Sequence, residues 1–480
     1  MPETWAKNAK TAARDEAGQN APQATLVGVD LHLDVSGTRV RLGLETALRE
    51  AVRTGRLGPG TRLPSSRALA ADLGLARNTV AEVYSQLVAE GWLTARTGSG
   101  TSVAERRTAE PGPDPAARPE VAAPRYDLRA GEPDLSAFPR QAWLVTARKA
   151  LADAPDHLLG YLDPRGVPRL REVLAGYLAR VRGVAADPGH IVICAGFAHG
   201  LAVLCRALRE GGAGTLAVEA YGHQAHRDIA AAQGLRLRPL PVDGQGAVIG
   251  ELGRADAVLL TPAHQFPLGV TLHPQRRREA ARWGGVVIED DYDGEFRYDR
   301  QPVGALQALA PDHVVYAGTA SKSLAPGLRL GWLVVPPRLL GAVTAQLTAG
   351  PSTLDQLTLA EFITSGGYDR QIRRARLAYR RRRDRLAAAL HRQGLHVTGI
   401  AAGLHAVLEV SGIEAERRLV ARATEHGLAV QGLDSYRAAG QGAPAEPDRA
   451  GLVIGYGRPP EHAYTTALAR LCAVLDPDRR

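Results

Sequence analysis

Lys322 stands in the run GTASKSLAPGLRLGW, with Thr319 and Ser321 just before it and Arg329 seven residues after it. Of the 59 lysines and arginines in the chain only Lys7, Lys10, Lys149 and Lys322 are lysines, so this one is not simply a unit of charge. A lysine on a turn after a buried strand gives up its proton readily and attacks aldehydes. Other residues in the chain complement it. Asp290 ends the apolar run VVIED, and Tyr292 follows two residues on. The turn Gly196-Phe197-Ala198 opens a helix, whose N-terminus favours a phosphate. Tyr221 follows the run TLAVEA and offers a ring for stacking. An amine for a Schiff base, a carboxylate for a ring nitrogen, a phenol for a ring oxygen, and phosphate donors in Thr319, Ser321 and Arg329 are what pyridoxal phosphate requires. Taken singly, each has an ordinary account, as a surface lysine or a loop-capping acid. Their appearance together in this order is what counts.

Such a constellation needs strands to carry it. Between residues 126 and 476 apolar runs such as HIVICAG, AVLLTPA, GVVIEDDY and HVVYAGTAS alternate with helical stretches, which predicts a mainly parallel α/β sheet. From residue 357 onward a long helix followed by LHAVLEV and GLVIGYG predicts a smaller α+β lobe. Residues 105–125 hold five prolines and almost no large apolar side chain, the composition of an extended linker.

Residues 36–104 read differently. Apolar residues recur at helical spacing over 38–54, Gly58, Pro59, Gly60 and Pro64 break the chain, and Ser65 or Ser66 caps a second helix that Gly74 stops. A third helix runs from about Arg77 to Glu90, and WLTARTGSGTSVA predicts two short strands around a Gly-Ser-Gly tip. Three helices and a ribbon describe a winged helix-turn-helix. Its third helix would present Arg77 to guanine, Asn78 to adenine, and Thr79 to a phosphate or thymine methyl. Ser65 and Arg67 would stand at the passing phosphate, and Thr97, Gly98 and Ser99 would bring the wing backbone close to the duplex. Nine arginines against five acids make this segment basic; a small helical interaction domain with solvated arginines is the alternative.

The whole chain of 480 residues carries a net charge of +9, which suits an acidic partner such as double-stranded DNA. Residues 1–35 are polar and unpatterned and read as a flexible tail without a signal-peptide core, and no apolar stretch is long enough for a membrane span. Cys194, Cys205 and Cys472 lack metal-ligand spacing and suit free thiols in a reducing cytoplasm. No metal site is expected. The arginine-rich run at 370–385 reads as a helix with solvated arginines.

The run PSSRALAADLGLARNTVAEVYSQLVAEGWLTARTGSGTSVA resembles the GntR-type winged helix. Residues 126–475, through GYLDPRGVPRLREVLAGYLARVRGV, TPAHQFPLGVTLHPQRRREA, VVIEDDYDGEFRY and GTASKSLAPGLRLGW, resemble a fold-type I aminotransferase. The pairing is similar to the MocR/GabR-type bacterial regulators. The resemblance implies Lys322 as the Schiff-base lysine, Asp290 at the pyridine nitrogen, Tyr292 at the ring hydroxyl, Thr319 and Arg329 at the phosphate, and Tyr221 on the ring face. It also implies a head-to-tail homodimer in which Tyr161 reaches the partner subunit's phosphate.

Two departures from the aminotransferase pattern stand out. The usual Asn-Pro-(Thr)-Gly run is replaced by His264-Gln265-Phe266-Pro267-Leu268-Gly269, and the arginine that binds a substrate carboxylate is replaced by Val453. A valine cannot form that bidentate pair. The leading expectation is therefore a DNA-binding regulator whose aminotransferase-like domain senses an effector, either pyridoxal phosphate itself or an amino-acid-like ligand whose carboxylate another basic residue such as His223 would capture. A genuine aminotransferase with an accessory DNA-binding domain is the rival, and a nucleoid-type DNA binder with a dead cofactor fold is a third reading, disfavoured by the intact Lys322, Asp290 and Arg329.

Overall fold

The computed structural model describes residues 25–26, 29–30, 40–96, 100–105, 124–298, 303–348, 350–438 and 449–476. The chain divides into two compact units, Met1–Val121 and Ala122–Arg480. Expectations for the N-terminal tail and the proline-rich stretch fall mostly outside the described residues, as do Thr97, Gly98 and Ser99.

In the first unit, helices α1 (Val40–Arg53), α2 (Ser66–Leu73) and α3 (Arg77–Ala89) precede the strands β1 (Leu93–Arg96) and β2 (Gly100–Val103). Ser65 caps α2 by accepting a hydrogen bond from the Ala68 amide, and Gly74 closes it in the left-handed region at φ 65°. That glycine lets the chain turn back within three residues, so α3 starts at once. Leu44, Leu48, Leu69, Val80, Val83, Leu87, Leu93 and Val103 form one core and lock α3 against the other helices. The strands pair antiparallel from Leu93↔Val103 to Arg96↔Gly100.

The second unit is built on a seven-stranded mixed sheet. Its strands are β3 (Ile191–Cys194), β4 (Thr215–Glu219), β5 (Arg236–Leu240), β6 (Ala257–Leu260), β7 (Val286–Asp290), β8 (Val314–Thr319) and β9 (Gly331–Val334), in the order β3-β9-β8-β7-β6-β4-β5. All neighbours run parallel except β9, which is antiparallel to both β8 and β3. The runs β3, β7, β8 and β9 are buried along their whole length, as strands covered on both faces must be. A smaller antiparallel sheet contains His405–Val410 and Ala450–Gly455, with Val407 paired to Val453.

The long helix expected from residue 357 is two helices, Thr353–Thr364 and Gly367–His391. Gly366 between them sits at φ 70°, which ends the first helix before the second begins. The buried face of the first packs with Tyr177 and Trp332 in the core beside the large sheet. The arginine-rich run lies on the second, which buries Tyr368, Ile372, Tyr379 and Leu386 and exposes most of its arginines.

Candidate functional site

The C-terminal ends of the parallel strands open into a cavity of about 140 Å³, as the crevice rule for open α/β sheets leads one to expect. Its wall includes Phe197, Tyr221, Asp290, Tyr292, Thr319, Ser321 and Lys322. Residues up to 125 positions apart in the sequence thus meet in one place. His223, His226, Arg227, His405, Glu219 and Thr261 complete much of the rest.

Asp290 and its neighbour Glu289 lie on opposite faces of β7, because side chains alternate along a strand. Glu289 is satisfied by the amides of Leu306 at 2.7 Å and Gln307 at 2.9 Å. Asp290 is not: its Oδ1 is buried without a hydrogen-bond partner. Native proteins rarely leave such an atom unpaired without a use for it. Burial pushes this carboxyl well above the usual carboxylate range, against the pull of the Lys322 ammonium. Lys322 Nζ donates to the Gly131 carbonyl, and burial lowers its pKa although Asp290, Asp293 and Glu132 oppose the shift. A depressed lysine is a better nucleophile at neutral pH.

The Gly196-Phe197-Ala198 turn opens helix α4 (Phe197–Glu210), whose N-terminus has no side-chain cap. Gly196 sits at φ 81°, a Cβ there would come within 3.6 Å of the Arg329 guanidinium, and a Cβ on Gly331 would come within 3.0 Å of the Gly196 backbone. Arg329 itself is exposed and has no ion pair among the described residues. Thr319 Oγ1 and Ser321 Oγ lie 2.7 Å apart on the same side. A tetrahedral anion would find amides, hydroxyls and a guanidinium here. Tyr292 approaches His264 Nδ1 at 3.0 Å, and that nitrogen also contacts the Asp293 carboxylate at 2.8 Å. Tyr221 is buried, and Tyr161 is fully exposed and lines no part of this cavity.

Val453 is buried in an apolar cluster with Tyr221, Phe266, Val407, Leu433 and Tyr436. Phe266 lines the cavity, so carbon occupies the wall beside the position that sequence reading assigned to a carboxylate-binding arginine. His223 stacks on Phe266 at 4.0 Å between centroids and 13° between planes. Burial pushes its imidazole well below the ordinary value, so it carries no charge to offer a carboxylate.

Sequence reading missed Glu219. It ends β4, is fully buried, and accepts at Oε2 from Thr261 Oγ1 at 2.5 Å and from Gln265 Nε2 at 3.2 Å. A charged residue closing an apolar strand was the available signal, but its partners lie 42 and 46 positions away. Burial pushes this carboxyl from about 4.5 up to about 7. A folded-state value raised above the unfolded one contributes stability that is present at low pH and lost as pH rises from about 4.5 through about 7. Glu219→Gln has no proton to lose. Urea denaturation of the cofactor-free chain should therefore show the variant gaining on wild type by up to about 1.4 kcal/mol per pH unit across that window, then levelling off. A gap independent of pH would refute the buried, protonated Glu219.

Comparison with known proteins agrees with this architecture. Residues 41–103 match the family described as bacterial regulatory proteins, gntR family, and residues 125–443 match aminotransferase class I and II. The pyridoxine biosynthesis transcriptional regulator PdxR of Corynebacterium glutamicum is 32% identical over 450 residues, covering 90% of this chain and 95% of its own. The probable rhizopine catabolism regulatory protein MocR of Rhizobium meliloti is 33% identical over 374 residues, covering 72% and 76%. The chain belongs to the MocR-type branch of the GntR family. Among solved structures an archaeal alanine:glyoxylate aminotransferase superposes with a TM-score of 0.66 at 24% identity, over 74% of this chain and 91% of that one, which shows the shared fold. This MocR-type chain therefore joins a helix-turn-helix regulator domain to a fold-type I aminotransferase unit, as its sequence led us to expect.

Its DNA-reading end is equally specific. Arg67, Arg77 and Asn78 are exposed, Thr79 is half-buried, and Ser65 spends its hydroxyl on the α2 cap. Helix α3 begins at Arg77 with Ala76 before it and no side-chain cap, which leaves its first amides open to a phosphate. Among the described residues no helix is long and apolar enough to cross a membrane, and no group of three or more His, Cys, Asp or Glu side chains could hold a metal ion.

Proposed function

We propose that this protein is a DNA-binding transcriptional regulator whose aminotransferase-fold unit holds pyridoxal phosphate and uses it to sense a small-molecule effector. The observation that carries the reading is the orphaned Asp290 Oδ1 on the wall of the cavity that also contains Lys322. A pyridinium N–H is the partner that an otherwise unpaired buried carboxylate lacks, and a pairing of that kind restores its charge.

When bound, pyridoxal phosphate would supply an electrophilic aldehyde and an electron-withdrawing ring. The chain's own residues do the rest. Lys322 offers its amine to the aldehyde, Asp290 keeps the ring nitrogen protonated, and Tyr292 stands by the ring oxygen. Thr319, Ser321, Arg329 and the amides at Phe197 and Ala198 receive the phosphate, and Tyr221 covers a ring face. Phe266 and Val453 withhold the carboxylate grip that turnover of amino acids demands, which favours sensing over an aminotransferase activity. The exposed apolar side chains Leu144, Val145, Leu151 and Leu159, close in sequence to Tyr161, suit a homodimer interface that would bring Tyr161 to the partner's cofactor. A head-to-tail dimer in the cytoplasm, with two DNA-binding units on one operator, is the assembly this implies.

The test is to load the purified chain with pyridoxal phosphate, reduce it with borohydride and map the peptides. The tag is expected on the peptide that contains Lys322. Label confined to Lys149 or another amine would overturn the assignment.

A further inference from the structure

Helix α5 (Gln224–Ala232) follows Tyr221 along one wall of the cavity. His223, His226 and Arg227 fall on one side of it by their three- and four-residue spacing, and all three line the cavity. Arg227 is 4% exposed. Its Nε donates to Gln224 Oε1 at 3.0 Å, and its Nη2 donates to the carbonyls of Tyr436 at 3.0 Å and Arg437 at 3.2 Å. Among the described residues no carboxylate pairs with it, and Nη1 has no hydrogen bond. The nearest acid in sequence, Asp228, accepts instead from Gln224 Nε2 at 2.7 Å. Nη1 lies 3.7 Å from where a Cβ on Gly222 would sit, and Gly222 is itself part of the cavity wall.

A desolvated guanidinium without a counter-charge is costly, and arginine cannot escape the cost by losing its proton under ordinary conditions. The imidazoles around it can and do: burial lowers His226 to about 4 and His405 to about 3. Of the cavity's acids, Asp290 faces the ring-nitrogen position and Glu219 is held by Thr261 and Gln265. Lys322 and Arg227 are thus the two cations of the described wall, and only the first has a task in the cofactor reading.

Resting on that reading, we infer that Arg227 receives the acid group of the effector, and that the effector is a small primary amine bearing a carboxylate or a similar anion. The amine meets the aldehyde at Lys322, while the anion replaces the missing counter-charge of Arg227. Its bonds to the Tyr436 and Arg437 carbonyls fix the guanidinium plane, leaving Nη1 for the ligand. The carboxylate grip absent at Val453 is supplied from α5 instead.

The experiment titrates the full-length, cofactor-loaded chain with matched pairs: glycine and methylamine, β-alanine and ethylamine, 5-aminopentanoate and butylamine. The visible absorption band is followed. At least one acid should perturb the band at about a tenfold lower concentration than its amine, the scale of one charge-assisted hydrogen bond. Arg227→Gln should erase that preference without moving the response to the plain amine, and Arg227→Lys should keep part of it. A wild-type chain with no preference in any pair, or an Arg227→Gln chain that retains it, overturns the inference. Should Arg227→Gln unfold through loss of its carbonyl bonds, the wild-type pairs and Arg227→Lys still decide. A second arm needs no cofactor: propionate should raise the melting temperature of the cofactor-free wild type and leave that of Arg227→Gln unchanged. If the chain takes up no pyridoxal phosphate, the proposed function fails while this arm still judges Arg227. Propionate that stabilises neither chain, or both equally, counts against it.

Discussion

Lys322→Ala should leave a chain that folds and no longer binds pyridoxal phosphate covalently. The visible band and the hydride-resistant tag should both vanish, and retention of the cofactor through gel filtration should weaken by at least about tenfold, since only the non-covalent contacts remain. The fold should not suffer, for a physical reason. Lys322 is half-buried, its pKa is lowered by desolvation despite Asp290, Asp293 and Glu132, and a depressed lysine means the ammonium is less comfortable in the folded chain than in water. For a base with a lowered folded value, the cost is present below its ordinary value near 10.5. Removing the amine removes that cost, so the cofactor-free variant should melt at or above the wild-type temperature at pH 7. Loss of the band together with a collapse in melting temperature would mean that Lys322 serves packing and not chemistry. Survival of the band would sink the assignment outright.

That combination, a residue that harms stability and sits on the wall of a cavity, explains why the region was readable from sequence. Asp290 closes the apolar run that carries it and Lys322 stands on the turn just after another, and a charge at such a place is visible without a structure. Local chemistry was similarly plain in the first unit. Ser65 and Gly74 delimit the second helix as their cap preferences require, because capping depends on a few neighbouring atoms. What was hidden depends on distant partners. Glu219 is meaningful only with Thr261 and Gln265 beside it, and Arg227 only once Tyr436 and Arg437, some 210 positions on, have taken two of its donors. Nothing in a helical pattern distinguishes a guanidinium turned to a cavity from one turned to water. The break at Gly366 was missed for another reason. Apolar and basic residues continue across it at compatible spacing, and the glycine's left-handed φ overrides a periodicity that alone would run on.

Arg77→Ala should reduce operator affinity by about 1–3 kcal/mol and relax the sequence requirement at one base pair, whereas Arg67→Ala should weaken all sequences alike and lower the salt slope by about one. The difference follows from position. Arg77 is the first residue of α3, exposed at the end that Val80, Val83, Tyr84 and Leu87 hold in place from the buried side. The open amides beside it suit one phosphate, which would fix the helix in the groove and leave the Arg77 side chain to read a base edge. Arg67 lies one residue into α2, where in this docking the phosphate backbone of the duplex would pass. Neither arginine has a hydrogen bond or ion pair among the described residues, so truncating them breaks nothing in the fold, and both variants should melt with wild type. Promoter fragments retained by the purified protein provide the operator, and titration by fluorescence anisotropy at several salt concentrations gives affinity and slope together. Wild-type affinity in both variants would remove α3 from the groove. A uniform loss in Arg77→Ala, with a reduced salt slope and unchanged specificity, would make Arg77 a phosphate contact and pass the reading of bases to Asn78 and Thr79.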